Sequence, residues 1–150
     1  MKLEEIRSKE ARLLLPTYDR TPIHFVGGEG VWLHDEDGNR YLDLLSGIGV
    51  NALGYGNAAI EKAIAEQSRK LLHISNLYFH DGQAKLAEKL TAITGLDRAF
   101  FCNSGTEAWE AAMKLARAYA GLQRKRGKNI GTKFLALEHS FHGRTMGSVS

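Results

Sequence analysis

The sequence predicts an α/β protein, with an incomplete, mostly parallel sheet preceded by a small antiparallel meander. Three observations carry that expectation. Short apolar runs at Arg98–Cys102 and Phe134–Leu137 flank an alanine-rich helical stretch, the strand–helix–strand order of a parallel βαβ unit. Helical periodicity recurs at 58–72, where Ile60, Ala63, Ile64 and Leu71 fall near one face, and at 82–96, where Leu86, Leu90 and Ile93 do. Three strand-like runs between residues 23 and 44 are punctuated by Gly27-Gly28 and by Asp35-Glu36-Asp37-Gly38-Asn39.

Taken in order, residues 3 to 15 read as a helix, with Leu3, Ile6 and Leu13 to Leu15 as apolar positions and Pro16 as the stop. Ile23–Val26, Val31–His34 and Arg40–Leu44 read as the meander. Gly27-Gly28-Glu29-Gly30 reads as a hairpin turn and not a dinucleotide loop, since no helix follows it. A loop of small residues, SGIGVNALGYGN, separates the meander from the helix at 58. The irregular link HISNLYFH at 73–80 carries His73 and His80, which either line a site or simply pack. The helix at 105–120 is expected to close at Gly121. Ala108, Ala112, Leu115 and Tyr119 form its apolar stripe, and Glu110 and Lys114 a solvent-side i,i+4 pair. Two parallel strands cannot make a doubly covered sheet, so the sequence reads as the front part of a larger α/β protein.

Composition narrows the function classes. The chain has 150 residues and a formal net charge of +3, a mild balance that points to neither nucleic acid nor a membrane surface as a partner. The N-terminus mixes acids and bases and lacks the apolar stretch of a signal peptide, and no run is long enough to span a bilayer. Cys102 is the single cysteine, which excludes an intrachain disulfide and fits a reducing, cytoplasmic compartment. Closing an apolar run, Cys102 is expected to be buried. The basic link Arg124, Lys125, Arg126, Lys128 and Lys133 has no interleaved aromatic residue and reads as a solvated helix end. His139 and His142 form an H-x-x-H on a loop with no second ligand pair, so no metal site is assigned.

The chemistry concentrates in FFCNSGTEAWEAA. Ser104-Gly105-Thr106-Glu107 fits a capping box. The same atoms also make an anion seat: a helix start presents unpaired backbone N–H groups at the positive end of the dipole, Gly105 brings no side chain, and Ser104 and Thr106 add hydroxyls. Both readings stay open on these residues alone. No Walker pattern is present. If the two strands are parallel, the loop EHSFHGRT leaves from the same sheet edge. Phe141 can then stack on a flat cofactor, and Arg144 can grip a carboxylate with two parallel hydrogen bonds.

At these residues the chain resembles the N-terminal portion of the class III pyridoxal-phosphate-dependent aminotransferases, from about Tyr18 to Ser150. The resemblance rests on GEGVWLHDEDGNRYLDLLSGIGVNALGY, HISNLY, FFCNSGTEAWEAAMKLAR and SFHGRT in that order. It implies the front part of a type I transferase fold: residues 1–56 as the N-terminal part of the small domain, and 57–150 as the beginning of the large cofactor-binding domain. It implies pyridoxal 5'-phosphate as cofactor, with Ser104, Gly105 and Thr106 at its phosphate and Phe141 on its ring. Arg144 would hold the donor's carboxylate, and Ser46, Gly47 and Ile48 would line the substrate entrance. It further implies a homodimer and transamination between an ω-amino donor and 2-oxoglutarate in arginine biosynthesis. N-acetylornithine is the first expectation for the donor, with ornithine, 4-aminobutyrate, succinylornithine and acyl-lysine substrates behind it. Trp109 is bulkier than the family pattern leads one to expect. The family's Schiff-base lysine has no counterpart among these residues and is expected beyond Ser150, so the 150-residue chain alone is expected to be inactive. A module that binds a phosphate ligand without catalysis is the alternative from another class.

Overall fold

A computed structural model describes residues 1–149. The chain divides into two compact units, Met1–Asn76 and Leu77–Ser150.

The first unit begins with α1, Leu3–Leu13. Its first backbone N–H, that of Leu3, donates to Glu36 Oε1 at 2.9 Å, tying the helix start to the meander. The meander is β1 (Phe25–Glu29), β2 (Trp32–Asp35) and β3 (Arg40–Leu42), antiparallel in the order β1-β2-β3. Its register is set by Glu29 opposite Trp32 and by Leu33 opposite Tyr41. The expected turn at Gly27–Gly30 lies elsewhere: Gly27 and Gly28 sit inside β1, and the chain reverses at Gly30–Val31. Gly28 is there because the Tyr55 ring lies on it. A Cβ at Gly28 would come within 2.6 Å of Tyr55 Cγ. Tyr55 also pairs its backbone with Gly30 in both directions.

Two carboxylates organise this unit. Asp35, one of two buried side chains among the described residues, accepts from the backbone N–H groups of Asp37 and Asn39, from Asn39 Nδ2 and from the Tyr41 hydroxyl, all within 3.0 Å. The Asn39 side-chain bond, supported by the others, holds its carboxyl well below the usual range, at about 2. Asp43 accepts from the Tyr55 hydroxyl at 2.7 Å and from the N–H groups of Leu45 and Ser46. The turn it pins, α2 (Ser46–Gly49), winds in the left-handed region, with φ of 46° at Ser46 and 61° at Ile48. Helix α3, Ala58–Lys70, follows, capped by the Asn57 side chain on the N–H groups of Ala59 and Ile60.

The second unit holds α4 (Asp81–Thr94), α5 (Gly105–Lys125) and the short α6 (Met146–Val149). His80, left between two roles by the sequence, caps α4: its Nδ1 accepts from Gly82 N–H at 3.1 Å. Helix α5 runs past Gly121 to Lys125. Its stop is Gly127, whose N–H donates to Arg124 O while Lys128 N–H donates to Gln123 O, the paired bonds of a Schellman closure.

The expected buried parallel strands do not form among the described residues. Segments 98–102 and 134–137 have no strand assignment and no ladder between them. A parallel strand is stable only with neighbours on both sides and covered faces, and neither segment has them here. Their apolar side chains are consequently exposed, as is Cys102, against the expectation that it would be buried. The stripe of α5 shares that exposure, with Leu115 at 72% and Tyr119 at 59%. No described apolar side chain is fully buried, so hydrogen bonds, more than a dry core, define local geometry in both units.

Candidate active site

The start of α5 is a complete cap. Ser104 takes the extended N-cap conformation, and its Oγ accepts from Glu107 N–H at 3.3 Å. Glu107 answers: its Oε2 accepts from Ser104 Oγ at 3.0 Å and from Asn103 N–H at 2.8 Å. These donors, with the Asn103 amide first, keep the Glu107 carboxyl below its usual range. The first intrahelical bond at this end is Ala108 N–H to Ser104 O, at 3.1 Å. The N–H groups of Gly105 and Thr106 therefore have no acceptor within the described residues. The cap consumes Asn103, Ser104 and Glu107 and leaves the next two backbone donors without an acceptor among the described residues.

Gly105 and Thr106 both line a cavity of about 520 Å³, together with Trp109, Phe141, His142, Gly143 and Arg144. The helix start and the loop at 141–144 thus meet without the parallel ladder from which their meeting was expected. Ser104 lies beside the cavity, engaged in the cap. Ser46, Gly47 and Ile48 belong to the other unit, on the left-handed turn α2. Within the cavity the Arg144 guanidinium carbon lies 5.5 Å from the centre of the Phe141 ring, a cation–π distance. The lining includes no carboxylate among the described residues. A pocket with backbone donors and a guanidinium, and no acid, favours a ligand that is anionic at more than one point.

A polar latch holds the loop against the helix. Thr145 Oγ1 donates to Glu110 Oε1 at 2.6 Å, and Gly147 N–H donates to the same oxygen at 3.1 Å. Thr106 Oγ1 lies 3.1 Å from Thr145 Oγ1 and 2.6 Å from Ser148 Oγ. Gly143, at φ 121°, passes so close that a Cβ there would fall 2.3 Å from Thr106 Oγ1. On the other side of the loop the His142 ring stacks on Trp109, with centroids 4.1 Å apart and planes 17° from parallel. The bulk of Trp109, unexpected from the family pattern, is thereby accommodated. Glu110 corrects the expected i,i+4 pair with Lys114: it faces the loop instead. Sequence reading missed this because a Glu–Lys spacing is the commoner use of such residues on a helix. The Thr145 that meets Glu110 was legible only as the last letter of SFHGRT.

The class III aminotransferase family profile matches residues 15–150. The chain belongs to the class III aminotransferases. Acetylornithine aminotransferase of Nitrosomonas europaea is 51% identical over 137 residues, covering 91% of this chain and 34% of that protein. Among solved structures, a Bacillus anthracis aminotransferase superposes with a TM-score of 0.83 at 32% identity, covering 99% of this chain and 34% of the other. Acetylornithine aminotransferase of Elizabethkingia anophelis superposes with a TM-score of 0.77 at 30% identity, covering 83% of this chain and 32% of the other. The chain spans about a third of the length of the curated relatives it matches. The family is pyridoxal-phosphate dependent, and the α/β architecture is that of the front part of its transferase fold.

Proposed function

We propose that the protein transfers an amino group from an ω-amino donor, N-acetylornithine before the related donors, to 2-oxoglutarate, as a step of arginine biosynthesis. The observation that carries this reading is the single cavity that gathers the Gly105 and Thr106 backbone donors, the Phe141 ring and the Arg144 guanidinium. The choice of donor is supported by the names of the most similar curated relatives. The cytoplasm as compartment, a homodimer as assembly and the 1–56/57–150 domain division belong to the same reading.

The residues fit pyridoxal phosphate on the chemistry of their donors. The N–H groups of Gly105 and Thr106 would hold its phosphate at the positive end of α5, next to Ser104. Phe141 would cover one face of its ring. When bound, the cofactor supplies a protonated heterocycle that draws electron density away from the carbon bearing the amine. Arg144, resting on Phe141, would fix the substrate carboxylate by two parallel hydrogen bonds and so orient the carbon that loses its proton. Ser46, Gly47 and Ile48 would line the path of the substrate. Among the described residues no lysine lines the cavity, so proton transfer is not assigned to a side chain of this segment.

The test is the full-length gene product with N-acetylornithine and 2-oxoglutarate. Turnover to glutamate, with a visible cofactor band lost on borohydride reduction, is the expected result. Cofactor binding without turnover of any amino donor would favour the non-catalytic module. Arg144→Lys replaces a fork by a point charge and should raise KM for both acidic substrates about tenfold. Unchanged kinetics in that variant would remove Arg144 from the site.

A further inference from the structure

The loop that carries Phe141 and Arg144 has no regular secondary structure of its own. Its placement depends on what it touches. Besides Thr106, two adjacent residues of α5, neither with an assigned role in the site, contact it: Trp109 through the His142 stack and Glu110 through Thr145 and Gly147. Both side chains are half-buried, in keeping with a packed role and not a solvent-facing one.

Glu110 does more than add a bond. A hydroxyl has one hydrogen to give. The Thr145 hydrogen goes to Glu110 Oε1, so Thr145 can only accept in its contacts with Thr106 and Ser148, at 3.1 and 2.8 Å. The carboxylate thereby makes Thr145 an acceptor within the hydroxyl cluster, and Thr106, which lines the cavity, is inside that cluster. The Glu110 oxygen also occupies the space where a Cβ at Gly147 would stand, at 2.5 Å, so the chain after Thr145 runs directly over it.

We infer that Trp109 and Glu110 are positioning residues: together they dock the 141–145 loop on α5 and so set the distance between the phosphate donors at its start and the Phe141–Arg144 pair. The inference rests on the reading of this cavity as the cofactor site. It makes the pair a preorganising support for the Phe141–Arg144 loop, with Trp109 also part of the cavity wall, and neither residue a catalytic one.

The experiment uses the full-length gene product, freed of cofactor, with pyridoxal phosphate binding followed by equilibrium dialysis and the absorbance of the bound cofactor. Glu110→Ala removes the acceptor and should weaken binding about tenfold, whereas Glu110→Gln keeps an Oε1 acceptor and should stay within about twofold of wild type. Trp109→Leu should weaken binding and Trp109→Phe, which retains a ring for His142, should restore it. KM for the amino donor should follow the same order. If Glu110→Ala does not fold, Thr145→Val against Thr145→Ser makes the same comparison from the loop side, with Ser expected to hold and Val to fail. Equal affinity in wild type, Glu110→Ala and Thr145→Val would overturn the inference and leave the site intact. So would an equal loss in the Ala and Gln variants, the mark of a structural charge alone. Wild-type protein that takes up no pyridoxal phosphate would overturn the reading of the cavity itself, and this inference with it.

Discussion

In the first unit Asp35 accepts from two backbone N–H groups, an amide and a phenol, and Asp43 accepts from two backbone N–H groups and a phenol. At the start of α5 the single carboxylate, Glu107, takes only Asn103 and Ser104, and the next two backbone donors are left over. The difference separates a closed polar cluster from the helix start that we propose as the cofactor site. Around Asp35 and Asp43 the donors are spent on closing turns. At the helix start the cap stops one residue short of the cavity, and the positive end of the helix remains for an outside anion. Charge alone would not distinguish the two, since both contain carboxylates at turns; the count of donors remaining does.

The largest expected effect breaks the helix-start side of the comparison. Gly143→Ala places a methyl 2.3 Å from Thr106 Oγ1 and 2.5 Å from Thr106 Cβ, on a backbone at φ 121° that L residues rarely adopt. The loop must lift away from α5. A displacement of the order of an ångström in a site of this kind costs roughly a hundredfold in catalytic efficiency. Steady-state kinetics of the full-length gene product should show that loss. Gly131→Ala, where an added Cβ meets nothing within 4 Å, should change little. Equal behaviour of the two variants would mean that the loop is not docked as described.

Gly105→Ala sharpens the same comparison without touching the protein's own packing. A Cβ at Gly105 meets nothing within 4 Å, and alanine is the better helix former. The cofactor-free protein should therefore melt no lower than wild type. Yet the methyl would stand where a phosphate must approach the N–H groups, so affinity for pyridoxal phosphate should fall about tenfold. The informative result is the pair: stability kept and affinity lost. Stability and affinity kept together would leave the helix start an ordinary cap.

These contrasts also mark how far the sequence could be read. The capping box, the meander and the helices at 3, 58, 82 and 105 are local, and their signals lie within a few residues of one another: Asn57 before α3, Ser104 three before Glu107, Asp35 through Asn39 at the hairpin. The gathering of Gly105, Thr106, Phe141 and Arg144 was legible from SGTE and SFHGRT taken together. What escaped was non-local. The use of Glu110 depends on Thr145, 35 positions away, and the place of Gly28 depends on Tyr55. The parallel strands failed as an expectation for a related reason: a hydrophobic run specifies burial, and burial needs neighbouring strands that residues 98–102 and 134–137 do not find among the described residues. The end of α5 shows a smaller miss. Gly121 and Gly127 are equal as letters, and only the bonds from Gly127 and Lys128 decide between them.

Acid tests the meander side. Asp35 is held at about 2 by its donors, below the ordinary carboxylate value of the unfolded chain. A depressed folded-state value means that its contribution to stability is complete above the unfolded value and is lost as pH falls from about 4 to about 2. The NMR signals of Tyr41 and Asn39 should report opening of the hairpin in that window. Asp35→Asn should flatten the dependence, because the group no longer titrates, while lowering stability at neutral pH. An unchanged acid limb in the Asn variant would assign the loss to other carboxylates.

The smallest effect concerns α2, where the two lessons of the comparison meet. Its entrance is fixed by Asp43, as in a structural turn, yet Ser46 and Ile48 sit at φ 46° and 61°, conformations that L residues avoid. For a β-branched residue that conformation costs roughly 1–2 kcal/mol. Ile48→Gly relieves it but adds freedom to the unfolded chain, which takes back roughly 0.4–1 kcal/mol. A net gain of about 0.5 kcal/mol is expected, read as a small rise in denaturant midpoint. Strain of this kind persists where the surrounding structure over-determines it, and it concentrates at ligand sites. If Ile48 lines the substrate path, the stabilised variant should show a higher KM for the amino donor with cofactor affinity unchanged. A variant with the stability gain and wild-type kinetics would return α2 to the class of turns that only close the fold, alongside the Asp35 hairpin.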